Sequence, residues 1–212
     1  MKVIQLVVNG FGENCYILMD EATRDCAIVD PGVSDDDERA ALRRTIEKYS
    51  LHPTHLINTH LHIDHVLGNN FVAREYGLGV QAHKDDEFLG ARVADQARMF
   101  NLPISAENTT ISTYLQDGDE IRVGESTLKV LAVPGHSPGS ICLYCPESRF
   151  VLTGDALFAG GIGRTDLPGG DYATLIEAIQ SKLLTLPDNT TVYPGHGPAT
   201  TIAAERASNP YL

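Results

Sequence analysis

Residues 58–65 read Asn-Thr-His-Leu-His-Ile-Asp-His, which places His60, His62, Asp64 and His65 within six positions. No other window of the 212-residue chain is as dense in groups that bind metals. Imidazoles and carboxylates withdrawn from water must be hydrogen-bonded, paired or metallated. The stretch follows the apolar pair Leu56-Ile57 and precedes Val66-Leu67-Gly68-Asn69. It therefore sits at an element boundary, at the end of a short buried strand over 54–58, and not inside a solvated charge run.

Three further candidates share one context. His136 follows the apolar run 128–133 and the turn Pro134-Gly135. Asp155 follows Phe150-Val151-Leu152-Thr153-Gly154, and His196 follows Thr191-Val192-Tyr193 and Pro194-Gly195. Each is a ligand-type residue just past a strand, with glycine beside it to let the backbone turn sharply and approach closely. Strand C-terminal edges are the usual place for sites in layered α/β proteins. Seven protein groups exceed what one zinc accepts, so two ions fit. His60 and His62 can grip one with His136, Asp64 and His65 can grip a second with His196, and Asp155, with two oxygens, can bridge. Imidazole suits zinc and iron, and carboxylate keeps harder ions such as manganese open; we expect two divalent ions, zinc first.

The remaining elements define a frame for this edge. Strands are expected over 3–8, 14–19, 26–29, 54–58, 80–83, 113–115, 120–123, 127–133, 141–144, 150–153 and 191–193, from β-branched runs bounded by turn residues. A helix follows Ser34, which with Asp37 forms an approximate capping box, and buries Leu42, Ile46 and Tyr49. Further helices are expected over 69–76, stopped by Gly77; over 85–100, with Leu89, Val93, Ala97 and Phe100 as its apolar face; after Asp171, with Leu175, Ile179 and Leu183; and after Pro198. The order is neither strict βαβ alternation nor all-β. Two mixed sheets stacked face to face with helices outside fit it better than one parallel sheet, with the halves meeting near Ser112.

Bulk properties exclude several roles. The net charge of −12 argues against a primary nucleic-acid or polybasic membrane-surface function. No apolar run is long enough to cross a membrane, and the apolar start ends at Asn9-Gly10 without a signal-type cleavage site. Cys15, Cys26, Cys142 and Cys145 fit reduced, buried thiols in a cytoplasmic protein, including the Cys142/Cys145 pair despite its spacing. His52, His55 and His83 are expected to be structural or exposed, and Asp30 is read as a turn residue.

The motifs Thr59-His60-Leu61-His62-Ile63-Asp64-His65, Gly135-His136-Ser137-Pro138-Gly139-Ser140, Gly154-Asp155-Ala156-Leu157-Phe158 and Pro194-Gly195-His196-Gly197 resemble those of metallo-β-lactamase-fold hydrolases, in order and spacing. The likeness extends to Asn14-Cys15-Tyr16 and Val29-Asp30-Pro31-Gly32. Within that group, Ile162-Gly163-Arg164-Thr165-Asp166 and the tail Glu205-Arg206-Ala207-Ser208-Asn209-Pro210 look most like the glyoxalase II (hydroxyacylglutathione hydrolase) branch. The resemblance implies a four-layer αββα sandwich, a binuclear site, and hydrolysis of a thioester such as S-lactoylglutathione by a hydroxide shared between the ions. It implies Asp64 and Asp155 as catalytic carboxylates as well as ligands, and Arg164 as a substrate contact. Only sixteen residues follow His196, so the expected form is a single domain over 1–212 without the helical C-terminal domain that longer members use for glutathione. The expected partner is a small-molecule thioester, with the chain a monomer or small homo-oligomer.

No dedicated acid stands beside the cluster. A thiolate leaving group, with a pKa near 8.5, needs none, whereas an amide nitrogen does; this favours thioesters or lactones. The alternative with the same motifs is a persulfide dioxygenase, using one iron and oxygen. A β-lactamase is disfavoured by the arrangement of Asp64 and Asp155 and by the absence of a secretory signal. The helix over 85–100 and the loop to Ser112 are expected to cover the site.

Overall fold

The computed structural model describes residues 1–102 and 106–212. Two six-stranded mixed sheets carry the chain. The first runs in sequence order: β1 (Lys2–Val8), β2 (Glu13–Met19), β3 (Asp25–Val29), β4 (His52–Ile57), β5 (Val80–Ala82) and β6 (Ile111–Tyr114). Its first three strands are antiparallel, and β3 through β6 are parallel. The second sheet contains β7 (Glu120–Val123), β8 (Ser126–Ala132), β9 (Ile141–Cys145) and β10 (Phe150–Gly154). A small hairpin, β11 (Leu157–Phe158) and β12 (Gly161–Ile162), follows before the sheet is completed by β13 (Thr191–Pro194) and β14 (Thr200–Thr201). Only the β10–β13 pair of this sheet is parallel. The halves divide just after Ser112, at the end of β6.

Side-chain alternation explains the layers. Successive side chains of a strand point to opposite faces, yet every residue of β2 is buried. Tyr16 and Leu18 face inward, against Leu128, Val130, Ile141 and Leu143 of the second sheet. Cys15, Ile17 and Met19 face outward, against Leu42 and Ile46 of α1 (Asp36–Lys48) and other apolar residues. Two short helices follow β4: α2 (Ile63–Val66) and α3 (Asn69–Tyr76), the latter ended by Gly77 in the left-handed region. The outer face of the second sheet is covered in the same way. Leu175 of α6 (Tyr172–Ala178), Ile179 and Leu183 of the π-type turn after it, and Ile202 of α7 (Ile202–Ser208) pack on Cys142, Val151 and Val192. The result is the αββα sandwich. Each fully buried Leu or Ile contributes about 1.5–3 kcal/mol. Cys142 and Cys145 fall in different layers, three residues apart on β9, and are free thiols.

Several local expectations shift. The cap of α1 is Asp35, whose carboxylate accepts from Glu38 N at 2.9 Å, while Glu38 reaches back to Ser34 N at 2.7 Å; the capping box lies one residue later than Ser34-Asp37. The helix expected over 85–100 is broken into a 3₁₀ turn (Lys84–Asp86), α4 (Glu87–Gly90) and α5 (Val93–Met99). Gly90 packs so tightly under Leu61 and Thr109 that a methyl group would collide there, and Arg92 leaves helical geometry at φ −129°. Leu89, Val93 and Ala97 are buried as expected, but the break turns Phe100 outward. The glycine-rich loop after Asp155 contains the β11–β12 hairpin, and the last helix starts at Ile202, after β14.

Candidate metal centre

The sandwich brings the C-terminal ends of β4, β8, β10 and β13 to one edge. His60 and His62 follow β4, Asp64 and His65 lie on the single turn of α2, His136 follows β8, Asp155 follows β10 and His196 follows β13. His60, His62 and His136 form one group whose ligand atoms lie within 4.8 Å of one another, and Asp64, His65 and His196 form another. Asp155 stands between them. Its Oδ1 is 3.4 Å from His65 Nε2, and its Oδ2 is 3.7 Å from His136 Nε2 and 3.6 Å from His196 Nε2. His62 Nδ1 and His136 Nε2 are 2.8 Å apart, and His196 Nε2 is 3.1 Å from Asp64 Oδ2.

Hydrogen bonds to the far ring nitrogens decide what the imidazoles present inward. His136 Nδ1 lies 2.8 Å from the carbonyl of Arg164, which can only accept, so Nδ1 donates and Nε2 keeps its lone pair. Thr59 Oγ1 donates to Asp30 Oδ2 at 2.6 Å and so accepts from His60 Nδ1 at 3.1 Å. His65 Nδ1 donates to Asp30 Oδ2 at 3.1 Å. This outer hydrogen bonding orients metal-ligating histidines and fixes their tautomer. Inside, His60 Nε2, His65 Nε2 and Asp155 Oδ1 are buried without any hydrogen-bond partner among the described residues. Converging lone pairs and a bare carboxylate oxygen are a donor set that a divalent cation satisfies, so the residues fit two such ions.

The two groups differ in charge. Burial, with neighbouring imidazoles adding to it, holds His60 well below the ordinary histidine range and pushes His62 down to about 3. Burial would likewise lower His65, but Asp155 and Asp64 outweigh it and raise that imidazole well above the ordinary range. His196 is also raised: burial is outweighed by its hydrogen bond to Asp64 and by the Asp155 charge. For Asp64 and Asp155 burial alone would raise the carboxyls, and His65 foremost brings both below the usual carboxylate range.

Two buried carboxylates outside the expected ligand set hold the loops of the centre. Asp30, expected from its sequence context to be a turn residue, is 2 % exposed and sits at φ 48°, a backbone region that aspartate tolerates better than most residues. Besides His65 and Thr59 Oγ1 it accepts from Thr59 N at 2.7 Å, so its oxygens are committed and it orients ligands. Its signal was present: an acid directly after an apolar strand, parallel to β4, matches the pattern that marked Asp155. Asp86 accepts from Leu61 N (3.0 Å), between His60 and His62, and from Ser137 Oγ (2.7 Å) and Gly139 N (2.7 Å), just past His136. It lies in Lys84-Asp85-Asp86-Glu87, which reads as a solvated charge run. Gln96 of α5 accepts from Ile63 N at 3.0 Å and donates to Leu61 O at 3.4 Å, which fastens the α4–α5 segment to the histidine loop. Glu13, wholly buried, lies 3.8 Å from His65 Nδ1.

Other motifs gain a mechanical role. Asn14 donates to the carbonyls of Pro194 (2.9 Å) and Gly197 (3.0 Å), and Tyr16 Oη donates to Pro194 O at 2.7 Å, so this segment of β2 positions the loop of His196. In the tail, Glu205 accepts from Gly160 N (2.9 Å), Thr200 Oγ1 (2.6 Å) and Asn209 Nδ2 (2.8 Å). Arg164 lines the cavity above the centre, and its guanidinium is engaged by Asp166 through two 2.7 Å hydrogen bonds. His52, His55 and His83 stay away from the centre; His55 Nε2 lies 3.0 Å from Arg122 O. The cavity, about 410 Å³, has His62, Asp64, His136, Asp155 and His196 on its floor and the α4–α5 segment on its wall. That part of the expected cover is present; residues 103–105 of the loop to Ser112 lie outside the described residues.

A sandwich with this edge site is the architecture of a superfamily of metallo-hydrolases, and sequence comparison agrees: the metallo-beta-lactamase superfamily profile matches residues 8–196. The chain belongs to the metallo-beta-lactamase superfamily. It is 37 % identical to the hydroxyacylglutathione hydrolase GloC of Haemophilus influenzae, over 100 % of this chain and 98 % of that protein. Among solved structures it is similar to the BLEG-1 B3 metallo-beta-lactamase, with a TM-score of 0.90, 31 % identity, and coverage of 100 % of this chain and 99 % of that one. It is also similar to TTHA1623 in a di-iron-bound form, with a TM-score of 0.85, 33 % identity and full coverage of both chains.

Proposed function

We propose that this chain is a binuclear thioester hydrolase. His60, His62 and His136 would hold one divalent ion, Asp64, His65 and His196 a second, and Asp155 both, with zinc the first candidate. The observation that carries the reading is Asp155: one oxygen is turned to His65 and the other to His136 and His196. A single ion would leave half of this donor set without use. The di-iron form of a structural relative supports two ions and keeps iron open beside zinc. When bound, such ions supply a hydroxide at neutral pH and polarise a carbonyl.

The chain's own groups do the rest. Asp64 and Asp155, held anionic beside His65, orient the attacking water by accepting its hydrogen bonds. Anionic carboxylates cannot protonate a leaving group, which suits a thiolate, since it departs without a proton. The name of the Haemophilus relative supports a hydroxyacyl thioester of glutathione as a substrate type. The four thiols, all free and buried, support a cytoplasmic setting. A small-molecule substrate, with no nucleic acid or membrane partner, and a monomer or small homo-oligomer complete the reading.

The test is one purified sample, measured for metal content and assayed against thioesters, a lactone, a β-lactam and glutathione persulfide. Two ions per chain with thioester hydrolysis are expected, and His136→Ala should lose an ion and the activity together. One iron per chain, with oxygen uptake on the persulfide, would replace this reading with a dioxygenase.

A further inference from the structure

Eight large hydrophobic side chains are notably exposed among the described residues: Val7, Phe11, Phe88, Met99, Phe100, Tyr114, Tyr172 and Tyr211. Four of these eight, Phe11, Phe88, Met99 and Phe100, line the cavity over the metal centre. Scattered exposed hydrophobics are ordinary, but a concentration at one concave site marks a binding surface. They arrive from separate segments: Phe11 from the β1–β2 turn, Phe88 from α4, and Met99 and Phe100 from the end of α5. Phe11 and Phe100 meet edge to face at 6.0 Å, which joins two of these segments into one rim. Leu89 and Leu167 extend the apolar wall. The polar groups divide by depth. The carboxylates and imidazoles of the centre form the floor, while Arg92, Asp95, Gln96 and Arg164 also line the cavity. Arg164 is held by Asp166, whereas Arg92 makes no ion pair among the described residues.

We propose that the preferred acyl group is apolar and several carbons long, aliphatic or aromatic, and that it lies against Phe11, Phe88, Met99 and Phe100. This rests on the thioesterase reading. With the carbonyl at the floor, one side of a thioester must meet the apolar wall. Biological thiol carriers are polar and charged, so the carrier fits the cationic positions and the solvent, and the acyl group fits the wall. A cavity of about 410 Å³ is within the usual size for small ligands. The reaction is ordinary hydrolysis: the carbonyl carbon gains a bond to the water oxygen, the carbon–sulfur bond breaks with its electron pair going to sulfur, and the products are a carboxylic acid and the free thiol.

The test uses the zinc-loaded protein and glutathione thioesters carrying lactoyl, acetyl, butyryl, hexanoyl and benzoyl groups. The expected kcat/KM rises by about threefold to fourfold per added methylene until the cavity is full, as burial of each methylene from water predicts, and lactoyl falls below butyryl. Phe88→Ala and Met99→Ser, both at exposed positions, should lower the hexanoyl-to-acetyl ratio by about tenfold. Calorimetry gives a readout free of turnover: S-hexylglutathione, which cannot be hydrolysed, should bind at least tenfold more tightly than S-methylglutathione, and Phe88→Ala should shrink that gap. Hydrolysis of every thioester with a flat or falling series, or equal binding of the two thioethers, overturns the apolar acyl preference and leaves the thioesterase reading standing. Failure to hydrolyse any thioester in a sample that holds two ions overturns both.

Discussion

The two ligand groups of the centre are built by the same device from different materials. The first is three imidazoles, all buried, two from the loop after β4 and one from the second sheet. Asp86 clamps it through Leu61 N on one side and Ser137 Oγ and Gly139 N on the other. The second is a carboxylate and two imidazoles on a single helical turn and the end of β13, with Asp64 and His196 partly open to the cavity. Asp30 clamps it through His65, Thr59 and the start of the histidine loop. The first group is fully buried and contains no carboxylate. The second sets one anionic carboxylate beside two imidazoles whose pKa values are raised, and it lies partly open to the cavity. The difference teaches that one edge can carry two ligand groups in unlike environments, each with its loop tied to a buried carboxylate.

Breaking the second group at its tightest point should have the largest effect. A methyl group on Gly195 would collide with Asp155 Oδ1 and His65 Cε1, so Gly195→Ala should push apart two residues of the centre. Hydrolysis should fall by at least about 10²-fold, consistent with the cost of a misplacement of about 1 Å in a catalytic site, and metal content should drop below two. Normal turnover in this variant would show that the close approach of the β13 loop to Asp155 is not needed. The clamps then separate the groups. Asp30→Ala and Asp86→Ala should each weaken metal binding by about 10–100-fold, as loss of a ligand-orienting partner does. Asp86→Ala should weaken the ion held by His60, His62 and His136, whereas Asp30→Ala should weaken most the ion held through His65 and, through Thr59, also loosen His60. Chelator titration of cobalt-substituted protein, followed through the visible bands of each ion, distinguishes them. Identical losses from both sites in both variants would merge the two groups into one unit.

The converging residues were legible because four of them form one dense cluster after an apolar strand, and the other three, His136, Asp155 and His196, each follow an apolar strand and a glycine. The sandwich was legible in the element order, which is neither strict βαβ alternation nor all-β. What escaped depended on tertiary partners. Asp30 satisfies local turn chemistry as well as a distant histidine, and sequence displays only the first. Asp86 looks solvated beside Lys84 and Asp85, and only the approach of the His136 loop buries it. The break at Ala91-Arg92 was masked because Leu89, Val93 and Ala97 keep helical spacing across it, while the cause, the contact of Gly90 with Leu61 and Thr109, is remote in sequence.

Another buried carboxylate gives the comparison its control. Asp20 accepts from Ala22 N (3.0 Å), Thr23 N (2.9 Å), Thr23 Oγ1 (3.1 Å) and Ser126 Oγ (2.7 Å), which ties the β2–β3 turn to the second sheet far from any ligand. Burial would raise its pKa, but these hydrogen bonds, Thr23 N first, bring it down to about 2. The unfolded value is near 3.9, so the folded state favours the ionised form. That stability is fully present above about pH 4 and is lost as pH falls towards 2. Asp20→Asn should therefore lower stability at neutral pH by about 1–2 kcal/mol, the scale of charged hydrogen bonds exchanged for neutral ones. The gap to the unsubstituted protein should close in denaturant unfolding between pH 4 and pH 2. Metal content at neutral pH should stay unchanged. If Asp20→Asn loses an ion as Asp30→Ala and Asp86→Ala are expected to, then clamping of the edge is a property of the whole sandwich and not of two placed carboxylates.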